Sequence, residues 1–228
     1  MPPAYVVLEN DKQIRICVMT EAEMIALWEE HTRSEFATRD VEATLATMVE
    51  DAHVNHVPVM TGGYGRSALR VFYGSEFISK MPGGTSLTLI SRTVGQEQLV
   101  DEMIFVFTHS EEMPWMLPGL APTHRQVEIP LVAIIGFRDG KVAHEHIYWD
   151  QASVLKQLGL LTDPSLPVFG VETAPKLTER WPRYCGAGAA VAAESPPAAG
   201  AGAGAGPAAG AGPAPGADGG SGADAASV

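Results

Sequence analysis

Residues 137–158, FRDGKVAHEHIYWDQASVLKQL, bring His144, His146, Tyr148 and Asp150 into one short run, a density of proton donors and acceptors suited to general acid/base chemistry. The Asp139-Gly140 pair ahead of them signals a tight turn, because glycine tolerates positive φ, so residues 142–149 should return antiparallel to 127–137. Side chains alternate along a strand. His144, His146, Tyr148 and Asp150 therefore share one side, and Glu145, Ile147 and Trp149 the other. A polar set facing an otherwise apolar interior costs free energy unless its members are paired, which makes it the first candidate for a site.

Each candidate has a chemical and a structural reading. Asp150 suits a general base that removes a proton α to a carbonyl, its pKa raised by partial burial; it equally suits the N-cap of a helix over 151–158. His146, two residues back on the same face, can relay a proton near neutral pH or serve as a hydrogen-bonded core histidine. His56 closes a short extended run, and His53 beside it is expected to be exposed. His53-x-x-His56 and His144-x-His146 raise a metal site, but the spacing is weakly specific, and the reading adopted has no metal and no cofactor. Asp101 and Glu102 are adjacent on one strand and point to opposite faces; Arg92 on the neighbouring strand can pair with Glu102 and so orient a carboxylate substrate. His109 lies at a strand end beside residues 110–126, where Met113, Trp115, Met116 and Leu117 stand between prolines. So apolar a loop must fold back over something, as a lid or a dimer contact. Trp28, Tyr73, Arg92, Glu102, His109, Trp115 and Tyr148 form the candidate substrate-binding set.

The elements that must position these groups follow from periodicity. Thr20 and Glu23 form a capping box, and Met24, Leu27, Trp28 and His31 recur at helical spacing, which predicts a helix over 21–36. Asp40 caps a second helix ending near 51. Residues 52–59 read as extended, 66–79 as a third helix, and 85–94, 99–109, 127–137 and 142–149 as long strands. Residues 160–183 look irregular and proline-interrupted. Helices followed by a run of strands indicate an α+β domain in which a strongly bent antiparallel sheet wraps over the helices.

Composition limits the alternatives. A net charge of −12 without any Lys/Arg cluster argues against nucleic acid or an anionic membrane as partner. No apolar run is long enough to span a bilayer, so a cytoplasmic protein is the expectation. Cys17 and Cys185 give no disulfide or metal spacing. From residue 186 the chain is nearly all Ala, Gly and Pro, a composition that predicts disorder. The expected division is an N-terminal extension over 1–19, a folded domain over 20–163, an irregular extension over 164–185 and a tail over 186–228.

The order of elements, the segments SRTVGQEQLVDE and THSEEMPWMLPG, and above all HEHIYWDQASVLKQLGLL, resemble the SnoaL-like branch of the nuclear transport factor 2-like superfamily, whose members often carry the label carboxymethylenebutenolidase or ester-cyclase-like. No G-x-C-x-G or G-x-S-x-G nucleophile elbow is present. The resemblance, over about residues 21–161, implies a cone-shaped α+β barrel with an open cavity, homodimers through the convex face, and an acid/base Asp at the position of Asp150. It also implies that His56 faces the cavity. The function expected is acid/base catalysis by an isomerase, cyclase or lactone/ester hydrolase on a small hydrophobic carbonyl compound. The alternative is a non-catalytic binding protein for an apolar small molecule.

Overall fold

The structure, a computed structural model, describes residues 8–9, 12–13, 19–179 and 191–192. The expectation for the tail over 186–228 therefore lies outside the described residues except at 191–192. Two short strands, β1 (Leu8–Glu9) and β2 (Lys12–Gln13), pair with each other. Helix α1 (Glu21–Phe36) starts at the predicted capping box, with Thr20 accepting from the Glu23 backbone and Glu23 accepting from that of Thr20. Its buried face carries Met24, Trp28, His31, Glu35 and Phe36.

Helix α2 (Val41–Ala46), capped by Asp40, is shorter than predicted. Met48 and Val49, assigned by periodicity to its apolar face, instead open β3 (Met48–His56). Residues 61–65, expected as a break, contain strand β4 (Thr61–Tyr64), which folds back on β3. Gly62 makes that return possible: its φ is +132°, and a Cβ there would collide with the backbone of Val54. Helix α3 (Gly65–Val71) continues through a π-helical turn, Phe72–Phe77, and a 3₁₀ turn, Ile78–Lys80. The wider turn carries Phe72, Tyr73 and Phe77, all buried; such turns recur at functional sites.

Strands β5 (Ser86–Val94), β6 (Gln98–Thr108), β7 (Gln126–Arg138) and β8 (Lys141–Trp149) follow within two residues of the predicted limits, and α4 (Gln151–Gln157) closes the unit. Helix α5 (Thr173–Glu179) lies within the stretch read as irregular. With β9 (Val191–Ala192) at one edge, the sheet order is β4-β3-β8-β7-β6-β5-β9. It is antiparallel except that β3 runs parallel to β8. Met103 and Phe105 of β6 and Leu131 and Ala133 of β7 join α1 and the π turn around one cavity, which places the core between the helices and one face of the sheet. No helix among the described residues is long and apolar enough to cross a membrane.

One register shift decides which side chains enter that core. On β7 and β8, Phe137 pairs with Val142 but Gly136 pairs with His144, which leaves Ala143 as an extra residue. The bulge reverses the alternation, so Val142, Glu145, Ile147 and Trp149 are all buried. His144 and His146 go to the opposite face. The expected placement of the polar run was thus inverted, because a regular strand would have kept the histidines on the side of Val142. His144 lies over Gly136, where any Cβ would overlap its imidazole. Gly136→Ala should therefore destabilise the fold by about 1–3 kcal/mol, and His144→Ala should recover most of that loss, as measured by urea unfolding of the two single variants and the double.

Candidate active site

Helical spacing puts His31 and Glu35 one turn apart on the buried face of α1, and the bulge aims Glu145 of β8 at them from across the core. His31 Nε2 lies 3.1 Å from an oxygen of Glu35 and 3.1 Å from an oxygen of Glu145. The Tyr73 hydroxyl donates to the same Glu145 oxygen at 2.8 Å. Protonation can be traced through the partners. The Thr47 hydroxyl donates to the Thr44 carbonyl at 2.6 Å, so toward His31 Nδ1, also 2.6 Å away, it can only accept. Nδ1 therefore carries a proton, and Nε2 faces two carboxyl oxygens.

All four groups are nearly or fully buried. Burial alone would strip His31 of its charge, but the combined attraction of Glu145 and Glu35 outweighs it and raises the pKa to about 10. The two carboxyls respond in opposite directions. Burial raises Glu35, aided by repulsion from Glu145. Burial opposes ionisation of Glu145 too, yet His31 and the Tyr73 hydrogen bond pull it below the ordinary range. Burial and the neighbouring carboxyls hold Tyr73 firmly protonated. The resulting state is an imidazolium between a carboxylate and a carboxylic acid, with no net charge.

Glu35, Tyr73 and Glu145 line a cavity whose remaining wall is mostly aromatic and aliphatic. Its free volume is ≈ 50 Å³, room for a few waters. Glu145 uses one oxygen for both contacts, and none of the described residues hydrogen-bonds the other. His56 faces the same space, packed among Phe72, Phe77, Trp115 and Trp149 at ring-centroid distances of 5.4–5.8 Å. Burial lowers its pKa to about 4, so it is neutral at pH 7. Thr61 donates to the Trp115 carbonyl at 2.5 Å, and His56 Nδ1 approaches the same hydroxyl at 3.4 Å.

Of the residues singled out from sequence, His56, Trp28, Tyr73 and Trp115 line the cavity together. The Trp115 segment folds inward, with Met113, Trp115, Met116 and Leu117 buried. Asp150 is not with them. It is exposed on the surface and accepts from the backbone N–H groups of Ala152 and Ser153, as a helix cap does. His146 lies on the outer face, its Nε2 2.9 Å from that of His53, which is itself partly covered there. Tyr148 is 41% exposed on that face. Arg92 pairs through two nitrogens with Asp101, not Glu102, because the β5–β6 register sets Arg92 opposite Asp101; Asp101 also accepts from the Trp28 indole at 2.8 Å. Glu102 accepts from Ser91 on the other face. His109 is buried against Thr123 at the base of the loop, away from the cavity lining.

The sequence reading missed Glu35 as a site residue and left His31 and Glu145 without a chemical role. The signal was present in Ile147 and Trp149, whose bulk fixes the inner face of β8 and carries Glu145 with it. His31 Nε2 and one oxygen from each of Glu35 and Glu145 also lie within 4.8 Å of one another, a spacing that could hold a divalent cation, and Thr47 would orient the imidazole as metal-bound histidines require.

Two measurements check this arrangement. Asp150→Ala should lower stability by about 1 kcal/mol through the lost cap and leave ligand binding in the cavity unchanged, as read by thermal unfolding and titration. The pH dependence of stability has opposite signs on its two sides. His31, raised from 6.5 to about 10, makes the folded state bind more protons than the unfolded one in that window, so its stabilisation is lost as pH rises through it. His56, depressed to about 4, makes the unfolded state bind more protons between 6.5 and 4, so stability is lost as pH falls. Urea unfolding from pH 4 to 10 should give a maximum near neutrality, with the alkaline slope reduced in His31→Gln.

Comparison with known proteins agrees with this architecture. The family model described as SnoaL-like polyketide cyclase matches residues 31–158, more than half of the chain. Among solved structures, AclR from Streptomyces galilaeus is 20% identical with a TM-score of 0.50, the match covering 63% of this chain and 89% of AclR; that likeness shows the fold. TsrD from Streptomyces laurentii is 21% identical with a TM-score of 0.48, covering 63% of this chain and 99% of TsrD. A protein from Catenulispora acidiphila with a ketosteroid isomerase-like fold, solved with trimethylamine, is 13% identical with a TM-score of 0.46, covering 59% of this chain and 92% of the other. No curated protein matches the chain in sequence. With the α+β fold of the nuclear transport factor 2-like proteins and a family match spanning α1 to α4, the chain belongs to the SnoaL-like polyketide cyclase family.

Proposed function

We propose that the protein is a cofactor-independent acid/base enzyme of the isomerase or cyclase type, acting on a small hydrophobic carbonyl compound in the cavity. The observation that carries this reading is the split between two carboxyls on one wall, Glu145 held low and Glu35 raised. Titratable groups driven apart by their surroundings supply a base and an acid at the same pH. Glu145, through the oxygen free of protein partners, takes the proton α to the substrate carbonyl. Glu35 returns a proton where the charge has moved, to oxygen or to a more distant carbon, and the two carboxyls exchange protonation states. His31 stays charged throughout and balances whichever carboxyl is ionised. The aromatic lining keeps out water, which strengthens these interactions. Hydrolysis of a lactone or ester is a weaker fit, since no serine or cysteine beside a base lines the cavity among the described residues.

The test is exchange of α-hydrogen for deuterium in D₂O, followed by NMR on small cyclic enones and lactones. Wild type should catalyse exchange, and Glu145→Gln should slow it by about 10²–10⁴-fold while still binding the compound. Prior treatment with a chelator should leave the rate unchanged; a loss would put a divalent cation among His31, Glu35 and Glu145. Equal exchange rates in wild type and Glu145→Gln would overturn the assignment, and binding without exchange by either protein would make the cavity a carrier site.

A further inference from the structure

Three tryptophans line or brace the cavity, and two have satisfied indole N–H groups: Trp28 donates to Asp101 at 2.8 Å and Trp149 to Gln151 at 2.6 Å. The third differs. Trp115 lines the cavity and is only 2% exposed, and its Nε1 finds no acceptor among the described residues. A buried N–H without a partner is costly, and each instance in a folded protein calls for a cause. The ring is not free to turn away, because Phe77 packs against it at 4.9 Å and His56 at 5.4 Å between centroids, and the backbone carbonyl is clamped by Thr61. What the position lacks is an acceptor oxygen.

The charges around the cavity limit what can bring that oxygen. No Lys or Arg is among the described residues that line it. Arg92, the nearest candidate from sequence, is engaged by Asp101 and Glu29. The imidazolium of His31 is already balanced by Glu145. A ligand carboxylate would lie beside the Glu145 carboxylate with no cation to pair with, whereas a neutral carbonyl meets no such penalty.

We propose that the Trp115 indole N–H is the anchor for a neutral carbonyl oxygen of the substrate, and that the cavity selects uncharged ketones, enones or lactones over carboxylates of the same size. The inference rests on the acid/base reading of the Glu35–Glu145 pair and adds to it the substrate class and the group that orients the substrate.

The experiment is an NMR titration of the full chain labelled with [¹⁵N]tryptophan, using 2-cyclopentenone, γ-butyrolactone and 1-cyclopentenecarboxylate as probes, with α-deuteration of the enone and lactone followed in parallel. Trp→Phe variants at 28, 115 and 149 assign the indole signals by elimination, so the assignment survives if one of them does not fold. The expected result is a saturable downfield shift of the Trp115 indole proton with the enone or lactone, little movement of the Trp28 signal, and binding of the carboxylate weaker by at least about tenfold. Exchange without a Trp115 shift would overturn the anchor and leave the acid/base reading standing. A shift without exchange would keep the anchor and remove the catalytic reading. Equal affinity for the carboxylate, or no effect of any probe on the Trp115 signal, would overturn the substrate class.

Discussion

Burying an imidazole and two carboxyls in one apolar interior is tolerable only if their charges cancel and their protons are shared, and much of this molecule is arranged to meet that condition. Isolated, each ionised group would change protonation state rather than remain buried. Together, His31, Glu35 and Glu145 reach neutrality with one carboxyl protonated, and Thr47 and Tyr73 supply the remaining hydrogen bonds. The contributions come from distant parts of the chain: α1 gives two members, the π turn gives Tyr73, the end of α2 gives Thr47 and β8 gives Glu145. Breaking such a set by removing one member leaves an uncompensated charge, a loss of several kcal/mol. The cluster therefore ties the helical layer to the sheet with a polar bond at the centre of an apolar contact.

A second polar link holds the other side of the cavity. The Trp28 indole, Asp101 and Arg92 join α1 to β5 and β6, and Trp28 stacks on His31 with ring centroids 5.2 Å apart. The indole thus connects the two networks, bonded at its edge to one and packed by its face on the other. Between them the wall is aromatic. Fold alone does not decide what such a cavity does; the chemistry comes from the few polar groups that reach its surface.

The fold was readable from the sequence wherever local signals agreed with tertiary demand. The capping box at Thr20 set the start of α1, the Asp-Gly turn set the β7–β8 hairpin, and the length of the four strands followed from their β-branched and aromatic content. Errors arose where local and global preferences parted. Met48 and Val49 continue the apolar stripe of α2 and yet join a sheet, since β3 had a partner in β8 that no local pattern announces. The site was half legible. Residues chosen for bulk beside polarity, Trp28, Tyr73, Trp115 and His56, reached the cavity. Residues chosen by counting along β8 did not, because counting by two assumes an unbroken strand. Asp150 was correctly suspected of capping α4.

The single extra residue at Ala143 has a consequence for how this strand can change over time. Its methyl group takes no part in the cluster, so the position tolerates exchange of side chain far better than change of length. Loss of one residue there would turn the following segment inside out, sending His144 and His146 toward the cavity and Glu145 to the outside. The two histidines that looked like a site and the carboxylate that faces the cavity are alternative occupants of the same wall. The chain selects between them by the number of residues between Val142 and Glu145, so an indel in this hairpin could change the chemistry of the cavity without any substitution within it.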